Sequence, residues 1–279
     1  VNAALPTLPL WQGQHLVALR AADIADRSGD FCEDDALYYS RFFTPADAAA
    51  AMPDDVLDVT KLRDHWNERL PHNAHLLAED TFLALRSLIA IPGRAAVNEY
   101  FCHEVGHLMG LDVHRKYDAG YFKHQGRPLW PLIFVEEHRA DLHGLGVAAE
   151  LLPPEQSCEV FAYHLLHRFG LAASSAAGGG AGAGLVPFLL FGVLRRLGII
   201  DPRPFGGRPR LVVGGCTPES VARHLRRCGE YVTLHLTRPE IDAPELADAA
   251  LCGAGYFRSF ALDDDCSASY ADLLGTSAT

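Results

Sequence analysis

Residues 94–111 read RAAVNEYFCHEVGHLMGL, and the pentapeptide His103-Glu104-Val105-Gly106-His107 within them decides how the chain is read. Apolar residues recur at helical spacing (Tyr100, Phe101, Val105, Leu108, Met109), so a helix is predicted from about Arg94 to Leu111, with Gly110 as its stop signal. Residues four apart on a helix lie about 40° apart around its axis and one turn along. Both imidazoles therefore point the same way and can share one tetrahedral ion. Glu104 is adjacent but on a different bearing, where it can take a proton from a metal-activated water instead of binding the metal. By chance alone an HExxH would arise in roughly 3–4% of sequences of this composition. The apolar surroundings argue for a buried helix, and buried imidazoles need a partner.

A catalytic zinc site needs a third protein ligand and an open fourth position. The segment Glu136-Glu137-His138-Arg139-Ala140-Asp141 begins 29 residues after His107, on a second predicted helix from Leu132 to Leu152 that stops at Pro153-Pro154. Glu137 and Asp141 are four apart and share a face, which suits Glu137 as ligand and Asp141 as acceptor for a ligand imidazole N–H. Glu136 competes with Glu137 for the ligand role.

HEVGH followed by EEHRADLHGLG (residues 136–146) resembles the two zinc motifs of the dipeptidyl-peptidase III family, an HExxGH segment followed by EE-x-R-A-(E/D). The resemblance implies a Glu-zincin centre with one Zn2+ per chain: His103, His107 and Glu137 as ligands, Glu104 as the catalytic glutamate. It covers some twenty residues in two patches. The chain lacks the extra residue between Glu104 and Gly106 that marks the peptidase III helix, and it is far shorter than those enzymes. The metal site carries over; the dipeptide-releasing specificity does not.

Around these motifs the pattern is mainly α with a few short strands, a zincin-like arrangement in which the active-site helix and the Glu-ligand helix line a cleft. Helical spacing also marks residues 64–70, 75–89, 155–171 and 185–197. Residues 112–130 read as a long loop, so 1–279 form one catalytic domain or two lobes divided near 112–130. The stretch 172–184 (AASSAAGGGAGAG) reads as a flexible connector. Residues 201–210 read as a turn, 211–213 as a short strand, and Thr217-Pro218 as a helix start. That helix is expected to end near Gly229, with 231–236 alternating like a strand. From Arg238 onward the patterning is poor.

Other polar residues invite weaker readings. Glu99, one turn before His103, reads as a solvated or salt-bridged residue, or as one that holds a substrate amine or orients a ligand. His138 and His143 read as packing or surface residues. His164, His167, Tyr117, Tyr121, Tyr163 and Tyr231 are candidates for stabilising an oxyanion. Arg195-Arg196 and the cluster Arg223, Arg226, Arg227 read as solvated helix faces.

The 279 residues carry a formal net charge of −11, which disfavours nucleic acid and anionic membrane as partners. Seven scattered cysteines without a CxxC pair suit reduced thiols, and no secretory signal is seen, so a cytoplasmic setting is expected. The expected reaction is metal-assisted hydrolysis of a peptide or small amide. A zincin-fold enzyme acting on a non-peptide metabolite, and a non-catalytic zinc module, are the alternatives.

Overall fold

The computed structural model describes residues 55–109, 130–178, 185–236 and 263–276, with short segments at 19–22, 38–39, 123–124, 127–128, 256 and 258–260. Strands β1 (Leu19–Ala22), β2 (Tyr38–Tyr39) and β3 (Asp55–Asp58) form a sheet in the order β1-β3-β2, with β1 parallel and β2 antiparallel to β3. Asp58 ends β3 and starts α1 (Val59–Arg69), its carboxylate accepting from the N–H groups of Thr60 and Lys61 at 3.0 and 3.2 Å. A 3-10 turn (Leu70–His75) and α2 (Glu79–Ser87) follow. The single helix expected over 75–89 is thus interrupted before Glu79.

The helix carrying the HEVGH sequence, α3, spans Pro92–His107. Pro92 occupies its first turn, where a missing N–H costs nothing. Just before it, the Ala90 and Ile91 N–H groups donate to Glu159 at 3.2 and 3.4 Å, and Arg94 forks onto the same carboxylate at 2.9 and 2.7 Å. Strands β4 (Lys123–His124) and β5 (Arg127–Pro128) pair antiparallel; the rest of 112–129, and with it the expected lobe division, lies outside the described residues. Helix α4 runs Trp130–Leu151 and α5 runs Pro154–Gly178, on either side of the Pro153-Pro154 break. The expected connector is therefore helical through Gly178. Its run of alanines has the highest helix propensity of any residue type and continues α5. Residues 179–184 lie outside the described residues.

Helix α6 (Leu185–Arg196) is buried on nearly every side. The stretch expected as a turn over 201–210 is instead two strands, β6 (Ile200–Phe205) and β7 (Arg208–Val213), joined by Gly206-Gly207. Both glycines have positive φ, +56° and +85°, as a two-residue hairpin turn matched to strand twist requires. Helix α7 (Pro218–His235) opens with a capping box between Thr217 and Ser220. It absorbs the expected strand over 231–236: Val221, Leu225, Cys228 and Val232 are buried at helical spacing through Gly229. Helix α8 (Asp264–Leu274) closes the described chain.

One contiguous apolar core joins residues from α1 to α8. Arg195 pairs with Asp265 of α8 at 2.5 Å, and Arg196 lies over the Phe260 ring at 3.9 Å, so this basic pair ties α6 to the C-terminal segment instead of facing solvent alone. The five cysteines among the described residues are free thiols. No helix among the described residues is long and apolar enough to cross a membrane.

Candidate metal centre

Among the described residues, helices α3 and α4 form the most extensive helix pair, and two glycines let their backbones meet. A Cβ on Gly106 would stand 2.2 Å from the Ala140 carbonyl oxygen, and one on Gly144 would stand 2.9 Å from the Cys102 carbonyl. This approach brings the imidazoles of α3 against the acidic face of α4.

His103, His107 and Glu137 converge, each offering one donor atom within 4.8 Å of the others. The two Nε2 atoms are 3.1 Å apart, His103 Nε2 is 3.3 Å from Glu137 Oε2, and His107 Nε2 is 3.7 Å from Glu137 Oε1. Donors on a tetrahedral zinc with bonds near 2.0–2.1 Å stand about 3.3 Å from one another, so the triad matches the spacing of three corners.

The other edge of each ring settles its tautomer. His103 Nδ1–H donates to Asp141 Oδ1 at 2.8 Å, and His107 Nδ1–H donates to Glu136 Oε1 at 2.9 Å. A carboxylate only accepts, so each ring carries a proton on Nδ1 and turns its Nε2 toward the other ring and Glu137. Two Nε2 atoms at 3.1 Å repel unless a proton or a metal cation stands between them. This donor set fits zinc: two imidazoles and a carboxylate, each imidazole held from behind by a second carboxylate.

Each supporting carboxylate is itself gripped. Arg139 Nε and Nη2 fork onto Glu136 at 2.7 and 2.8 Å, and its remaining N–H groups donate to the carbonyls of His107, at 3.1 Å, and Met109. The His107 carbonyl is one of the orphan acceptors at the end of α3, and Met109 follows just past the helix. Arg168 of α5 donates to Asp141 Oδ1 at 2.5 Å. Burial alone would push the Asp141 carboxyl up; Arg168, His164 and His103 outweigh it and hold the group well below the usual carboxylate range. Glu137 keeps 41% of its side-chain surface exposed. Partial burial pushes its carboxyl up, yet His107, His103 and Arg168 bring it down to about 2. It is ionised at neutral pH.

Glu136 addresses the Nδ1 edge of His107, opposite to the edge that faces Glu137, and so is spent on orientation. Glu104 lies half-buried on α3, about 100° around the helix from His103. Glu99, expected as a solvated or salt-bridged residue, is buried and accepts from His164 Nδ1–H at 2.7 Å. His164 Nε2 faces Asp141 Oδ2 at 3.9 Å, so Glu99, His164 and Asp141 form a buried cluster beside the first. Arg168 already neutralises Asp141 there.

His167 sits 2.6 Å from Arg69, and Tyr163 stacks on Trp66, both buried. Tyr231 reaches Tyr256, whose hydroxyl lies 3.3 Å from His138 Nε2. His138 is fully buried, as the packing reading expects, and burial brings its pKa down to about 3, so it is a neutral core residue. His143 is buried too. Tyr117 and Tyr121 lie outside the described residues. Arg223 and Arg226 are exposed, as expected.

Arg139 and Arg168 are the site residues that sequence reasoning missed. Arg139 follows Glu136 at helical i,i+3 spacing, a signal present but unread. Arg168 lies on a different helix, and nothing local announces it. A groove of about 520 Å3 between α4 and α7, lined by Met109, His143, Gly146 and Gly229, includes none of the triad.

No protein-family model matches the sequence, and no curated protein does. Among solved structures, DPP III from Caldithrix abyssi superposes with a TM-score of 0.52 at 15% identity, over 86% of this chain and 43% of that one. The chain thus spans under half the length of this neighbour. At that identity the likeness is one of fold, and the fold is mainly α and zincin-like.

Proposed function

We propose that the chain is a zinc-dependent hydrolase that cleaves a peptide or small amide bond. The observation that carries this reading is that the two Nε2 atoms of the HExxH helix face each other at 3.1 Å, with Glu137 of α4 at 3.3 and 3.7 Å. His103, His107 and Glu137 would hold one Zn2+, Asp141 and Glu136 would orient the two imidazoles, and the fourth position would stay open to water and substrate. When bound there, zinc would lower the pKa of a water toward about 7 and polarise a substrate carbonyl. Glu104 would take one proton from the attacking water and hand it to the leaving nitrogen. Hydroxyl then ends on the carbonyl carbon and hydrogen on the amine, and the glutamate is regenerated. A structural zinc site has no use for that carboxylate, which favours catalysis over a purely stabilising metal.

Two measurements test the reading. Metal analysis of the purified chain should return about one zinc per molecule; none, even after supplementation, refutes it. Glu104→Gln should keep the zinc and lose hydrolysis of a mixed peptide library by at least about a hundredfold. Full activity in that variant refutes the assignment of Glu104. Turnover of a small-metabolite library with no peptide cleavage would move the substrate to the non-peptide class and keep the metal chemistry.

A further inference from the structure

We propose that Arg139 and Arg168 are positioning residues of the metal centre, each guanidinium immobilising the carboxylate that orients one ligand imidazole. The inference rests on the reading of His103 and His107 as ligands. The two arms run in parallel, His107–Glu136–Arg139 and His103–Asp141–Arg168. They differ in how the guanidinium is used.

Arg139 is 1% exposed and all of its named bonds are local to the centre. Its fork spans both oxygens of Glu136, while its other N–H groups hold the carbonyls of His107 and Met109. One planar group therefore sets both the ring partner of His107 and the backbone from which that ring projects. Carboxylate and helix end cannot move apart without breaking the fork. Among the described residues, Arg168 makes one close polar contact, from Nη2 to the same Asp141 oxygen that accepts from His103. It brings α5, a helix that supplies no ligand, to bear on the orientation of His103.

That difference gives the arms different tolerances. A lysine is a point charge on a flexible stem, whereas a guanidinium is a rigid fork. Lysine can restore one contact to Asp141. It cannot reproduce two parallel bonds to Glu136 together with two carbonyl contacts.

The test uses the full chain, with zinc affinity measured by competition with a chromophoric chelator and the absorption spectrum of the Co2+-loaded protein as a second readout. Far-UV circular dichroism and urea midpoints establish folding. Arg139→Met and Arg168→Met should each weaken zinc binding about 10–100-fold and change the cobalt bands, as expected for groups behind metal ligands. Arg168→Lys should recover most of the affinity, and Arg139→Lys should not. If Arg139→Met does not fold, Glu136→Gln removes the charge that the fork grips and should weaken binding in the same direction. Folded Met variants with wild-type affinity and unchanged cobalt bands overturn the proposal, as does equal recovery by both lysines. A wild-type chain that takes up no metal overturns this proposal and the proposed function together. Zinc bound equally by wild type and variants overturns this one alone.

Discussion

Replacing Gly106 by alanine asks whether the close approach of α3 and α4 is what assembles the centre. The new Cβ would lie 2.2 Å from the Ala140 carbonyl oxygen, 2.9 Å from its carbon and 3.0 Å from its Cα. Ordinary contact begins near 3.4 Å, and a backbone carbonyl inside a helix cannot rotate away, so the helices must part by about 1.2 Å at that point. The bonds at stake span the same gap. His103–Asp141 at 2.8 Å and His107–Glu136 at 2.9 Å would pass beyond hydrogen-bond reach. The His103–Glu137 spacing of 3.3 Å would exceed what one zinc spans with normal bonds. Overpacking costs about 1–3 kcal/mol, offset by up to about 1 kcal/mol from the better helix propensity of alanine. The expected result is a net loss of about 1–2 kcal/mol in urea denaturation and at least a tenfold loss of zinc affinity in chelator competition. Gly93→Ala on the same helix, where a Cβ meets nothing within 4 Å, should leave zinc affinity unchanged and raise stability by up to about 1 kcal/mol. Zinc affinity within twofold of wild type in Gly106→Ala would refute the claim that this contact sets the site.

Other changes have equally definite outcomes. Asp141→Ala removes the acceptor of His103 Nδ1–H and leaves Arg168 buried without its counter-ion, so equilibrium unfolding should show a loss of about 3–5 kcal/mol; under 1 kcal/mol would contradict the pairing. Glu159 has its carboxyl held low: burial pushes it up, and Arg94 with the Ala90 and Ile91 N–H groups outweighs that. A depressed folded pKa contributes stability above the unfolded carboxyl pKa and loses it as pH falls through the folded one. Glu159→Gln should therefore lower the urea midpoint at pH 7, and the gap from wild type should close below about pH 4; a gap that stays constant with pH would count against this. Thr217→Ala removes the cap of α7 and should cost about 1 kcal/mol by the same assay. A change within error would mean that Ser220 holds the helix start by itself.

Much of this fold is legible locally. Proline and capping signals place the starts of α3, α5 and α7 within two residues, because they act on the backbone of the turn that carries them. The misread stretches fail for identifiable reasons. Six residues such as 231–236 fit both a period of two and one of 3.6, and burial of Val232 against the core selects the helix. Gly229, read as a stop signal, serves packing: a Cβ there would stand 3.1 Å from the Cα of Gly146 on α4. Gly206-Gly207 looks like loop composition and is a hairpin turn, since pairing of 200–205 with 208–213 depends on which residues cross the gap.

The sequence by itself determined that His103 and His107 share a helix face with Glu104 beside them, and that Glu137 and Asp141 share another. Fixed helical spacing makes those statements local. Which faces meet was decided only by tertiary structure, through the glycine contacts that bring α3 onto α4. The same packing decided that Glu136 serves His107, that Asp141 serves His103, and that Arg168 arrives from α5 to hold Asp141. Residues 27 positions apart acquire a common hydrogen bond only when a core brings their helices together, and no periodicity in the chain records that distance.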